Sequence, residues 1–351
     1  MSMDGRAACR TARNRAAALG PAARRRVAGA CIVGLLAAGA AVVAQAPPPN
    51  PPPARPADRI PLSRLTPDAV VPVSAAPGIA VTADGLWVPA TTELMVRRVD
   101  ATTNAVAVEA RLDSGPCASL AAAFDAVWVP LCAGKTIARV DPAKGAPTAL
   151  VALTPAAAGG RIAVAVGSLW VAFDASGAVA RIDPATNAAV AEVYVARRPV
   201  AVSGGDDGLW ISSEDGDVIT RVNPHTNAVV ETVKVGPRPG RIAVGEGGVW
   251  VLNRGDGSVT RIDPKTNKVV ATFAVDVAVA DGEIAAGEGS VWISAPGVPL
   301  VRIDPRANRV VQRFDGEGGG AVVTGHGSVW VSAGPKALWR LDPQLVAATR
   351  P

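Results

Sequence analysis

Histidine, tyrosine and cysteine are scarce in this 351-residue chain, with two, one and four copies. Two isolated histidines, His225 and His326, exclude a metal centre built on paired imidazoles. No Cys-x-x-Cys pair, Gly-x-Ser-x-Gly elbow or phosphate loop is present, which removes the commonest redox, acyl-transfer and nucleotide signatures. Gly204-Gly205 and Gly318-Gly319-Gly320 are loop glycines with no helix following. Long apolar runs are as rare. The notable one, residues 27–44, follows Arg24-Arg25-Arg26 and ends at Ala44-Gln45-Ala46, the order of an export signal with a small-x-small cleavage site. An uncleaved anchor is the alternative, because about 18 apolar residues are just enough to cross a bilayer.

An excess of charge of either sign is missing from the body of the chain. Residues 1–46 hold seven arginines against one aspartate, a surplus of six in a total of +5, so the rest sums to −1. A nucleic-acid partner therefore has no support from global charge. The expected division is 1–46 signal peptide or membrane anchor, 47–66 proline-rich linker, and 67–351 one folded body in the periplasm or outside the cell. The linker opens with PPPNPPPARP, which favours an extended polyproline II spacer. Cys9 and Cys31 fall in the signal, and Cys31 stands at the wrong end of the apolar run for lipidation. Cys117 and Cys132 remain, and in an oxidising compartment a lone pair is expected to form a disulfide.

What the chain has in abundance is repetition. Residues 240–275 read GRIAVGEGGVWVLNRGDGSVTRIDPKTNKVVATFAV, four short apolar runs separated by three turn signals. The tryptophan recurs as Trp87, Trp128, Trp170, Trp210, Trp250, Trp292 and Trp330. An Arg-x-Asp/Asn landmark recurs as Arg98, Arg139, Arg181, Arg221, Arg261, Arg302 and Arg340. Seven copies of a four-stranded unit of about 40 residues predict an all-β fold, a seven-bladed β-propeller of antiparallel blades. Naming the inner strand of each blade a and the outer d, the blades start near Gly78, Ser119, Arg161, Val200, Arg241, Glu283 and Ala321. The last repeat lacks an outer strand, and an orphan outer-strand pattern precedes the first. Residues 70–73 are therefore predicted to pair with residues 337–341 and close the ring.

The tryptophans are expected to fill the wedge between blades, and the Asp-Pro-x-Thr-Asn segments to be hairpin devices. In these segments the aspartate caps local N–H groups and the asparagine takes a left-handed conformation.

With Ile-Ala-Val-Gly-x-Gly-Gly-Val-Trp-Val and Gly-x-Val-x-Arg-Ile-Asp-Pro-x-Thr-Asn-x-Val-Val, blade five resembles the YVTN-type β-propeller repeat family and the wider group that includes virginiamycin B lyase. The resemblance spans roughly residues 78–343 and implies an exported protein. It also implies, for a lyase, a histidine, a glutamate and magnesium at one mouth of the channel. His225 and His326 instead fall in c–d and a–b turns, opposite the face that carries the d–a and b–c loops. Oxygen donors for a calcium ion at that mouth are few: Glu283, Asn253, Glu214 and Asp215.

The expectation is thus a monomeric, non-catalytic binding protein without cofactor or metal, a lyase or hydrolase of that group being the alternative. The site is placed at the d–a and b–c mouth, where the chain departs from its own repeat. The position nine before the tryptophan is Gly78, Ser119, Arg161, Arg241, Glu283 and Ala321 in six blades. Arg161 and Arg241, with Arg198, Arg238, Arg254 and Asn253, are expected to ring a funnel opposite Glu283. Such a funnel would take an anionic small molecule, an acidic peptide segment or a protein partner. The competing reading pairs the arginines with Glu214, Asp215, Asp256 and Glu283 as rim charges.

Overall fold

The computed structural model describes residues 58–75, 77–117, 119–153, 161–172, 175–205, 208–277, 282–334 and 336–351. The expected signal or anchor (1–46) and the proline-rich start of the linker lie outside them. Strand formation follows the alternation. In Gly248–Asn253 and Ser290–Ala295 every residue is buried, because the second strand of a blade is covered by a neighbouring blade on each side. The outer strands, such as Ala228–Lys234 and Lys268–Ala274, keep most residues in water.

Seven antiparallel sheets result, each ordered from an inner strand to an outer one. Seven apolar clusters hold them together, each shared between neighbouring blades and each carrying one of the seven repeat tryptophans, all fully buried. In five blades the indole N–H is satisfied by the carbonyl five residues earlier, at 2.9–3.3 Å.

The repeat arginine lies over this tryptophan. Guanidinium carbons sit 4.9–5.5 Å from the indole centroids in the pairs Arg139–Trp128, Arg181–Trp170, Arg221–Trp210, Arg261–Trp250 and Arg340–Trp330. The same side chains reach into the next blade. Arg221 Nη1 donates to Pro264 O at 2.8 Å and Asn267 Oδ1 at 2.7 Å, and Arg261 Nη1 to Pro305 O and Asn308 Oδ1. Arg340 of blade seven donates to Ala101 O and Asn104 Oδ1 of blade one, carrying the latch across the closure. The receiving asparagines are the left-handed residues of the c–d turns: Asn104, Asn187, Asn227, Asn267 and Asn308 have φ of 50–57°. The turn aspartates accept backbone N–H groups as expected, for example Asp263 from Lys265. In five of the repeats the motif is therefore both a turn and a joint between blades.

Closure takes the expected form: strand β2 (Ala69–Val71) pairs antiparallel with the third strand of blade seven, Val70 opposite Trp339 and Val71 opposite Leu338. Two further elements were not foreseen. Strand β1 (Asp58–Pro61), in what was read as linker, lies parallel to the outer strand of blade six, Arg309–Asp315, and buries Ile60 against that blade. Helix α1 (Pro343–Ala348) follows blade seven, capped by the Asp342 carboxylate accepting from Gln344 N and Leu345 N, with proline at its first position. It docks through Val346 and through Gln312 Nε2, which donates to Val346 O and Thr349 O.

Candidate functional site

Each inner strand begins at the d–a loop face and runs down the channel wall, so its first residue sits at the channel mouth. The inner strands of blades three (Arg161–Ala165), five (Pro239–Gly245) and six (Glu283–Gly287) bring Arg161, Arg241 and Glu283 there. Blades three and six are as far apart as a seven-membered ring allows, yet their side chains meet. Arg161 Nη1 is 3.6 Å from Glu283 Oε1, and Arg241 Nε is 2.7 Å from the same oxygen. The three side chains are 13–19% exposed, so this is a sheltered cross-channel cluster rather than a solvated rim pair. Two of the expected site residues thus converge on a third.

The geometry leaves the cluster incompletely satisfied. Glu283 Oε1 is buried and receives no hydrogen bond of proper angle, Arg241 approaching it as a charge contact. Burial pushes the Glu283 carboxyl up to about 7, against the opposing pull of Arg241. The partners of Glu283 on other strands are neutral: Ser294, opposite it on the second strand, accepts from Gly320 N, and Ala321 enters blade seven.

The remaining arginines form a second cluster. Glu214, in the b–c loop of blade four, is 8% exposed. It holds Arg198 Nη2 at 2.7 Å on Oε2, and Arg254 Nη2 at 2.7 Å and Arg238 Nη2 at 3.2 Å on Oε1. Arg198 also lies 3.8 Å from Asp215. Arg198 and Arg238 occupy equivalent d–a loops, each just before a proline and each at positive φ (54° and 50°), a conformation non-glycine residues seldom take. The loops are held there by Glu214 N–H donating to Arg198 O and Arg254 N–H to Arg238 O. An open ring of cationic donors is therefore not what forms: the arginines divide between two carboxylates. Asp256, the other expected rim acid, turns away to accept from Ser258.

Asn253 is fully buried, its amide nitrogen donating to Ser258 and Thr260, so it braces the blade and does not face the mouth. Cys117 and Cys132 form a disulfide with Cα atoms 5.8 Å apart, tying a d–a loop to the b–c loop of blade two on the mouth face. His225 is in a c–d turn on the opposite face, and His326 Nε2 bonds Thr82 O at 2.9 Å across the blade seven–blade one seam. Among the described residues no group of three or more His, Cys, Asp or Glu side chains could hold a metal ion. No described helix is long and apolar enough to cross a membrane.

The ring of seven blades decides the architectural kinship. The fold is that of a virginiamycin B lyase-like seven-bladed propeller. Virginiamycin B lyase from Staphylococcus aureus superposes with a TM-score of 0.64 at 17% identity, covering 77% of this chain and 95% of that one. A catalytically inactive histidine-to-alanine variant of the same lyase, with quinupristin, gives 0.65 at 18%, covering 77% and 96%. BamB from Moraxella catarrhalis gives 0.58 at 15%, covering 79% and 97%. No protein-family profile and no curated protein sequence matches the chain. At these identities the kinship is one of fold, shared by a lyase and by BamB alike.

Proposed function

We propose that this virginiamycin B lyase-like propeller is an exported, non-catalytic binding protein that holds a small anionic ligand, or an acidic group of a protein partner, at the mouth of its channel. The observation that carries the reading is the convergence of Arg161 and Arg241, from blades three and five, on one point of the channel. Folding does not require charge there, since the corresponding positions Gly78, Ser119 and Ala321 are small and neutral. A guanidinium fork presented in a sheltered funnel suits a carboxylate or phosphate. The Glu214 cluster, with Arg198 and Arg238 more than half exposed, extends the cationic surface across the loops of blades four and five. The disulfide fits an oxidising compartment, and with it the export reading of residues 1–46.

A lyase reading has less to stand on. The S. aureus lyase variant that lost a histidine is catalytically inactive, whereas both histidines of this chain lie away from the mouth. Calorimetric titration of small carboxylates, phosphates and acidic peptides into the parent and the Arg161→Ala/Arg241→Ala double variant tests the proposal. A fall in affinity of at least about tenfold is expected, as for loss of one charge-assisted hydrogen bond. Equal affinity in both proteins, or no binding by the parent, would reject it.

A further inference from the structure

Arg161 and Arg241 treat the Glu283 carboxylate differently. Arg241 touches it at 2.7 Å, whereas Arg161 stands off at 3.6 Å and makes no side-chain hydrogen bond among the described residues. A guanidinium has five donors in a planar fork. Here that fork is only 17% exposed, yet its one carboxylate contact is loose. Arg161 is thus drawn across the channel, and none of the described residues supplies an acceptor that satisfies it. The atom it meets, Glu283 Oε1, is buried and lacks a properly directed donor among the described residues.

Two incompletely satisfied groups only 3.6 Å apart leave no room for a third between them, so a ligand of this site must displace Arg161 from Glu283. The missing group must accept the Arg161 fork and tolerate a carboxyl at its other edge. A planar, two-oxygen anion does both, provided that the carboxyl beside it is protonated. It then accepts two N–H groups from Arg161 and one O–H from Glu283, while Arg241 stays with the Glu283 oxygen it already touches. Phosphate is tetrahedral and at neutral pH carries on average about one and a half charges, so it would crowd Glu283 more.

We propose that the ligand of the channel mouth is a small monocarboxylic acid, whose carboxylate takes Arg161 away from Glu283 and binds with uptake of one proton by Glu283. The inference rests on the channel-mouth reading above and adds to it the chemical class of the ligand and the protonation state of the site. The balance is simple: the anion enters, one proton comes from solvent to the Glu283 carboxylate, and no covalent bond to carbon changes. Glu283 is poised for this, since burial raises its carboxyl to about 7 even without a ligand. The charged groups within ion-pair reach of it among the described residues are Arg161 and Arg241. The second strand of its own blade brings Ser294. The inner strand of blade seven, Val322–Gly325, and the second strand of blade five, Gly248–Asn253, bring no charge.

Acetate, lactate and benzoate titrated into the full-length protein by calorimetry, with inorganic phosphate for comparison, test it. The titrations run from pH 6 to 9 in buffers of low and high ionisation enthalpy. The expected result is uptake of close to one proton above pH 7 and an affinity that falls by about tenfold per pH unit there, as one linked proton requires. In Glu283→Gln, whose amide N–H replaces the carboxyl O–H, the same acids should bind without proton uptake and without pH dependence. In Arg161→Ala binding should fall at least tenfold at every pH. Carboxylate binding that needs Arg161 but is independent of pH in the parent, or phosphate binding tighter than all three acids, would overturn this inference and leave the anion site standing. No binding of any of these anions to either the parent or Glu283→Gln would remove this inference and take the small-anion form of the site with it.

Discussion

Each repeat tryptophan is buried between the core of its own blade and that of a neighbour, and in five blades, that of Trp210 among them, the repeat arginine lies over the ring. Cutting Trp210 to alanine should cost about 3–5 kcal/mol, read from denaturant unfolding, because the wedge it fills cannot collapse between two rigid sheets. The arginine above it does two jobs that can be separated at its partner. Asn267 supplies both a left-handed backbone and an acceptor for Arg221. Asn267→Gly keeps the first and loses the second, and should cost about 1 kcal/mol; Asn267→Ala loses both and should cost more, by about 1 kcal/mol. At Glu283 the expected effect is on pH dependence. Its folded-state carboxyl is raised to about 7 from an ordinary 4.5, so between these values the folded protein keeps a proton that the unfolded chain has released. The stability contributed by that proton is complete below pH 4.5 and is lost as pH rises through 7. Chemical denaturation from pH 4 to 8 should show this decline in the parent and a flatter profile in Glu283→Gln.

Among the elements, the disulfide offers the simplest test. Reduction, or Cys117→Ser with Cys132→Ser, should lower stability by about 3 kcal/mol for a 15-residue loop. The mouth cluster of blades three, five and six should be left in place, since the bridge lies in blade two. What could be read from the chain beforehand follows the same division between local and distant contacts. The strands, the c–d turns, the ring-closing strand and the cysteine pair were legible, because alternation, Asp-Pro-x-Thr-Asn and a missing outer strand are local patterns. Strand β1 was not legible: DRIP is too short to alternate, it follows a proline-rich stretch, and its partner is some 250 residues away. Helix α1 was hidden by its own cap, since Asp342-Pro343 repeats the dipeptide that opens the c–d turns. The latch from arginine to the next blade's asparagine and the division of the mouth arginines between Glu214 and Glu283 depend on which blades face one another. Spacing along the chain does not carry that information.

At the scale of the whole ring, blade seven is assembled from both ends of the fold, β2 supplying the strand that three C-terminal strands leave unpaired. A chain starting at residue 74 should expose the Leu338–Leu341 edge and self-associate, visible as concentration-dependent light scattering, whereas one starting at residue 67 should remain closed. Strand β1 settles something else. It runs parallel to an outer strand that rises from a c–d turn towards a d–a loop, so its first residue lies nearer the turn face and its last nearer the mouth face. A chain begun at Asp58 and captured on a sensor surface by a tag fused directly there is therefore gripped from the side away from Arg161, Arg241 and Glu283. Analytes then meet the funnel from its open side, and coupling at Asp58 is the arrangement in which surface-based binding data can be compared with those in free solution.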